Sequence, residues 1–181
     1  MKTMREETAA GRVLVSDGAW GSFLVAKGMQ PGECPELWCV EHADDVRAIA
    51  AVYAEAGADI VMTNSFGGTR FKLSHFGLDG RVAELNRAAA RLSRGAAGPD
   101  RHVMASMGPT GKLLMMGDVT EEELYDAFRA QAVALEEGGA DAVTVETMSA
   151  VDEAGIAVRA VRENTGLEVV ASFTFDRKTD A

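Results

Sequence analysis

The sequence predicts an α/β fold built on a parallel sheet, and three observations carry that expectation. Short, β-branched, nearly continuous apolar runs recur along the chain, as in strands buried on both faces. Segments with apolar residues at helical spacing separate them. A weak internal repeat pairs EAGADIVMTN (55–64) with EGGADAVTVE (137–146), each reading as helix end, glycine turn and buried strand. Repeated units of this kind imply right-handed crossovers. Two architectures satisfy the pattern: an open doubly wound sheet or a (β/α)8 barrel. A whole barrel needs about 250 residues, and this sequence has 181.

Five strands are expected, in order. Val13–Val15 ends at Ser16-Asp17-Gly18, and Asp59–Met62 ends at Thr63-Asn64-Ser65. His102–Ser106 ends at Met107-Gly108-Pro109, and Asp141–Val145 ends at Glu146-Thr147. Glu168–Phe173 is the last. Between them, Val46, Ile49, Ala50 and Tyr53 form one helical face, and Val82, Leu85, Ala89 and Leu92 another. Thr120 opens a third helix, with Glu123 completing a capping box. Its buried face is Leu124, Ala127, Phe128 and Leu135, and Gly138-Gly139 ends it. Ser149 and Asp152 repeat the box before Ala154, Ala157, Val158 and Val161, with Gly166 as the C-terminal cap. Gly95–Asp100 (GAAGPD) reads as a flexible loop, and residues 1–10 as a tail.

Charge narrows the function. The formal net charge is −10, from 28 acids and 18 bases, which argues against a nucleic-acid or anionic-membrane surface. No apolar run reaches membrane-spanning length. The polar N-terminus MKTMREETAAGR lacks a secretory pattern, so the expected location is cytoplasmic. Cys34, Cys39 and His42 lie close in sequence but match no common metal spacing, and read as buried or loop thiols. GGT (67–69) and GPTGK (108–112) look like phosphate loops without the spacing of one. Met104, Met107, Met115 and Met116 read as core or loop filler. His75 and His102 read as surface or packing residues.

In parallel α/β folds, chemistry gathers beyond the C-terminal strand ends. Those positions hold Asp17, Thr63-Asn64-Ser65, Gly108-Pro109-Thr110-Gly111, Glu146-Thr147, Thr174 and Asp176. Asp17 and Glu146 are two acids that could face one pocket. Such a pair suits an ammonium, a metal or acid–base work. Each also has a plain role: Asp17-Gly18 marks a turn, and Glu146 could cap a helix.

Taken together, these motifs resemble the homocysteine S-methyltransferase family. DGAWGS (17–22), GECPELW (32–38), TNSFGGTR (63–70), SMGPTGK (106–112), VETMS (145–149) and FTFD (173–176) resemble its successive strand motifs, from about residue 11 onward. The homocysteine-binding module of cobalamin-dependent members is nearest in character. The resemblance implies a TIM-barrel (β/α)8 fold, of which 11–181 would supply about five of eight units. It implies that Asp17 and Glu146 hold the ammonium of homocysteine. Backbone N–H groups of Gly18 and Ala19 would meet its carboxylate, and Thr63 and Asn64 would line the pocket. It further implies a zinc on three cysteines that makes the substrate thiolate available, and a methyl donor such as methylcobalamin on another domain or protein. Those cysteines belong to Asn-Cys and Gly-Gly-Cys-Cys motifs, which these 181 residues do not contain. The resemblance places them beyond Ala181. The expectation is therefore a chain with the amino-acid half of the site and without the zinc half. The alternatives are a non-catalytic fragment or binding module that associates through open sheet edges, and an unrelated open-sheet lyase or aldolase using Lys112 or the two acids.

Overall fold

A computed structural model describes residues 1–175. Four parallel strands lie side by side in chain order: β1 (Ile60–Met62), β2 (His102–Met107), β3 (Ala142–Met148) and β4 (Glu168–Phe173). The helices are α1 (Met4–Ala9), α2 (Gly21–Ala26), α3 (Trp38–Glu41), α4 (Ala43–Glu55), α5 (Arg70–Leu73), α6 (Val82–Ala97), α7 (Glu121–Glu137) and α8 (Val151–Asn164).

The two faces of the sheet differ. Val61, Val103, Ala105, Met107, Val143 and Val145 are fully buried, in one core with Leu124, Phe128, Leu135, Ala157 and Val161 of α7 and α8. The opposite face carries Met62 and Met104, which are half-buried, and Val170, which is exposed. The sheet is thus parallel, with its strands in chain order and α7 and α8 packed on one face.

The reading of α7 holds. Thr120 and Glu123 form the capping box of α7, with both reciprocal bonds present. Leu124, Ala127, Phe128 and Leu135 are buried, and Gly138 is the C-cap. Phe128 is fully enclosed, and truncating such a phenylalanine costs about 3–5 kcal/mol.

Four expectations fail. The first run is no strand: Ser16 makes a single parallel bridge to Ile60, and Asp17 N–H donates to Ile60 O at 3.0 Å. β1 has only three residues, so there is little ladder for that run to join, and Val13 and Val15 are exposed. The box at Ser149 and Asp152 does not form. The N-cap of α8 is Ala150, without a side-chain cap, while Asp152 accepts from Glu153 N–H at 2.8 Å. Gly166 is not the C-cap; Thr165 is, and Gly166 N–H donates to Glu136 at 2.6 Å. GAAGPD is not one loop, because α6 runs to Ala97 and Ala97 is buried. Arg94 pins the turn after α6 by donating to Gly98 O, Arg101 O and Gly139 O.

The tail contains α1, which docks at the N-terminal ends of the strands. Glu168 of β4 accepts from the N–H groups of Met4 and Arg5 at 2.7 and 3.0 Å. Met4 packs with Ile60 and Ala142. No helix among the described residues is long and apolar enough to cross a membrane.

Candidate functional site

At the C-terminal end of the sheet lies a cleft of about 590 Å³. Gly18, Ala19, Trp20, Thr63, Asn64 and Glu146 line it, together with Glu36, Ser65, Phe66, Lys72, His75 and Ser106. Five of the six expected site residues thus border one space. The sixth, Asp17, does not line it.

Asp17 is occupied by its own chain. Its Oδ2 accepts from Trp20 Nε1 at 3.0 Å and from Met62 N–H at 2.8 Å. Ser16 Oγ reaches Oδ1 at 3.3 Å. These bonds fasten the Gly18–Trp20 wall of the cleft to the end of β1. Burial raises the Asp17 pKa above its ordinary value, and the bonds from Met62 and Trp20 offset part of the rise. Tyr53 closes the other side of the same turn, donating to Ala19 O at 2.9 Å.

Glu146 has a different setting. It lies near the end of β3, where the ladder to β4 slips: Val145 pairs with Ala171, and Met148 with Phe173. Two residues therefore face one, which is a bulge. Thr147 takes φ +60°, alone among non-glycine residues of the described chain. That conformation is an outlier for a β-branched side chain, and strain of this kind clusters at functional sites. Ser106 Oγ donates to Glu146 Oε1.

A hydroxyl lattice holds Ser106. Thr63 Oγ1 and Ser65 Oγ share a hydrogen bond of 2.5 Å, and Ser65 Oγ donates to Ser106 O at 2.7 Å. Ser106 N–H donates to Thr63 Oγ1 at 3.2 Å. All three residues are buried, so Glu146 is oriented by a network whose members are satisfied by one another. Asn64 is partly spent, since its Nδ2 donates to Pro35 O at 2.6 Å.

The sequence reading missed Glu36, Ser106 and Lys72. Glu36 is a buried carboxylate that accepts from Gly67 N–H at 2.7 Å and from the Cys34 thiol at 3.4 Å. Glu36 and Ser106 sit inside the quoted motifs GECPELW and SMGPTGK, so the signal was present but unassigned. His75 was read as a surface or packing residue and borders the cleft while exposed. His102 is buried against Glu7, with Nε2 3.2 Å from Oε1. Thr174 N–H donates to Met148 O.

Cys34 and Cys39 do not fit a metal site. Cys39 Sγ donates to Asn64 O at 3.4 Å and Cys34 Sγ donates to Glu36. Burial pushes the Cys34 thiol up to about 11 and drives Cys39 upward too, whereas metals bind thiolates. Among the described residues no group of three His, Cys, Asp or Glu side chains could hold an ion. Asp176 and Ala181 lie outside the described residues, and so do the positions beyond Ala181 expected for the family's zinc cysteines.

Residues 14–181 match the family described as homocysteine S-methyltransferase. Methionine synthase of Mycobacterium leprae (strain TN) is 35% identical over 153 residues, 78% of this chain and 13% of that protein. Its counterpart in Mycobacterium tuberculosis (strain ATCC 25618 / H37Rv) is 34% identical over 148 residues, 75% of this chain and 12% of that protein. The metallated form of the Escherichia coli homocysteine methyltransferase MmuM superposes with a TM-score of 0.78 at 25% identity, over 93% of this chain and 65% of that one. The oxidized form gives 0.76 at 26% identity, over 90% and 62%. The chain thus spans 12–13% of the curated relatives and less than two thirds of the solved ones.

Proposed function

The chain belongs to the homocysteine S-methyltransferase family, and from that premise we propose that its cleft binds homocysteine for methyl transfer to the substrate sulfur. The observation that carries the reading is Glu146, set on the bulge of β3, oriented by Ser106 and bordering the cleft. A carboxylate held this way is preorganised for a cation, and a charge-assisted bond to an ammonium is stronger than a neutral one. Glu146 takes the α-ammonium of homocysteine. Gly18 and Ala19 offer backbone N–H groups to its carboxylate, and Thr63 and Asn64 shape the pocket. Asp17 holds the Gly18–Trp20 wall in place and adds a second negative charge behind it.

The family's chemistry adds a zinc on cysteine thiolates, which supplies the reactive thiolate when bound. The two cysteines present do not fit that role, so what these residues do is bind and orient. The resemblance implies a methyl donor such as methylcobalamin, a methylated amine or sulfonium, or a methylated amino acid, supplied by another domain or protein.

The test is calorimetric titration of the chain with homocysteine and with N-acetylhomocysteine, which keeps the thiol and carboxylate but has no ammonium. The reading expects homocysteine to bind and the acetylated compound to bind at least tenfold more weakly, since a hydrogen bond to a charged group contributes about 1.5–3 kcal/mol. Equal affinity for the two would overturn it.

A further inference from the structure

Lys72 lies next to both glycine-rich stretches that resemble phosphate loops: its backbone N–H donates to Thr69 of GGT, and its ammonium stands beside Gly111 of GPTGK. Thr69, the end of the first stretch, caps α5 by accepting from Lys72 N–H at 3.4 Å. Lys72 therefore leaves the first turn of that helix with a fixed backbone and borders the cleft. Its ammonium stands 3.3 Å from the place a Cβ would occupy on Gly111, in the second stretch. Gly111 has φ +77°, so a side chain there would be strained as well as crowded against Lys72.

Lys72 is half-buried and makes no ion pair among the described residues. Arg12, Arg94 and Arg87, by contrast, pair with internal acids: Arg12 with Glu7 and Asp59, Arg94 with Asp141, Arg87 with Glu137. A half-buried ammonium without a carboxylate, beside bare glycine backbone, is suited to a ligand's anionic oxygens. Lys72 belongs to the α5 side of the cleft and Glu146 to the end of β3, so one space presents a cation and an anion from different elements.

We propose that Lys72, which borders the cleft and stands beside the Gly111 turn, forms an anion subsite that takes a carboxylate or phosphate group of a bound reactant. The proposal rests on the reading of the cleft as the homocysteine site only for what fills its other end. Two sources supply the same chemistry: the α-carboxylate of the amino acid, with Lys72 adding a charge to the N–H groups of Gly18 and Ala19, or an anionic group on the second reactant. A subsite of this kind makes the cleft selective for reactants that carry negative charge.

The experiment titrates the wild-type chain, Lys72→Met and Lys72→Arg with three probes by calorimetry: homocysteine, 3-aminopropane-1-thiol and inorganic phosphate. The aminothiol keeps the thiol and ammonium and lacks the carboxylate. If the amino acid is the source, Lys72→Met weakens homocysteine about tenfold or more, leaves the aminothiol unchanged, and Lys72→Arg restores homocysteine. If a second reactant is the source, homocysteine is unchanged, while phosphate binding is present in the wild type, lost in Lys72→Met and recovered in Lys72→Arg. Homocysteine and phosphate behaving alike in wild type and Lys72→Met overturns the subsite. Failure of the broader reading looks different: the wild type then binds no homocysteine, while its phosphate titration still decides the subsite.

Discussion

Acidic side chains stand at both ends of this sheet, and two of them, Glu168 and Glu146, are used in opposite ways. At the N-terminal end, Glu168 spends both oxygens on the N–H groups of Met4 and Arg5, capping α1. Glu7 lies buried there between Arg12 and His102. At the C-terminal end, Glu146 takes one bond from Ser106 among the described residues and borders a cleft. An acid whose acceptor capacity is consumed by its own chain is a fastener. An acid that is oriented but left with capacity is available to a ligand. The contrast follows the rule for parallel α/β folds, where the C-terminal strand ends carry chemistry and the other end carries stability.

Breaking the fastening end has the largest expected effect. Glu7→Ala leaves His102 buried without its carboxylate, and an orphaned buried polar group costs about 1–3 kcal/mol. The denaturant midpoint should fall accordingly, with homocysteine affinity unchanged. A loss of affinity with unchanged stability would reverse the roles of the two ends.

The next test acts on the strained bulge. Thr147→Gly removes the penalty for a left-handed β-branched residue, about 1–2 kcal/mol, against a backbone entropy cost of about 0.5–1 kcal/mol for glycine. The melting temperature should hold or rise slightly, and homocysteine should bind more weakly as Glu146 loses its fixed aim. A clear drop in melting temperature would mean that Thr147 is not strained.

Asp17→Asn gives the smallest effect and a defined pH signature. Burial raises the folded pKa of Asp17, so the native state holds that proton more tightly than the unfolded chain. The associated stability is fully present below the ordinary value of 3.8 and is lost as pH rises through the folded value. Asparagine can accept from both Trp20 Nε1 and Met62 N–H without that loss. The variant should therefore match or exceed the wild type in stability at neutral pH, and the gap should close as pH falls below 3.8 in thermal melts. A marked destabilisation at neutral pH would show that the charge itself holds the loop.

Four of the five strand runs and five of the six expected site residues were legible in the sequence, while individual contacts to distant backbone were not. The Thr120–Glu123 box and the buried face of α7 depend on residues three or four apart, and both are as read. The strand before α8 was read as ending at Val145, but β3 runs to Met148 through a bulge that depends on pairing with β4, which no local pattern encodes. Asp17 was read as open to ligand. Its partner Met62 N–H lies 45 residues away and is silent in sequence, since any residue there supplies the same donor. Lys72 and Glu36 escaped for a related reason: their places in the cleft depend on the folded courses of GGT, GPTGK and GECPELW.

The central claim is that Glu146 anchors the ligand while Glu168 anchors the fold. Its most direct test is one calorimetric series with homocysteine on wild type, Glu146→Gln and Glu168→Gln, each also melted thermally. Glu146→Gln should bind at least tenfold more weakly with its melting temperature nearly unchanged, given about 1.5–3 kcal/mol for a bond to a charged group. Glu168→Gln should bind as the wild type does and melt lower. Wild-type affinity in Glu146→Gln would contradict the account.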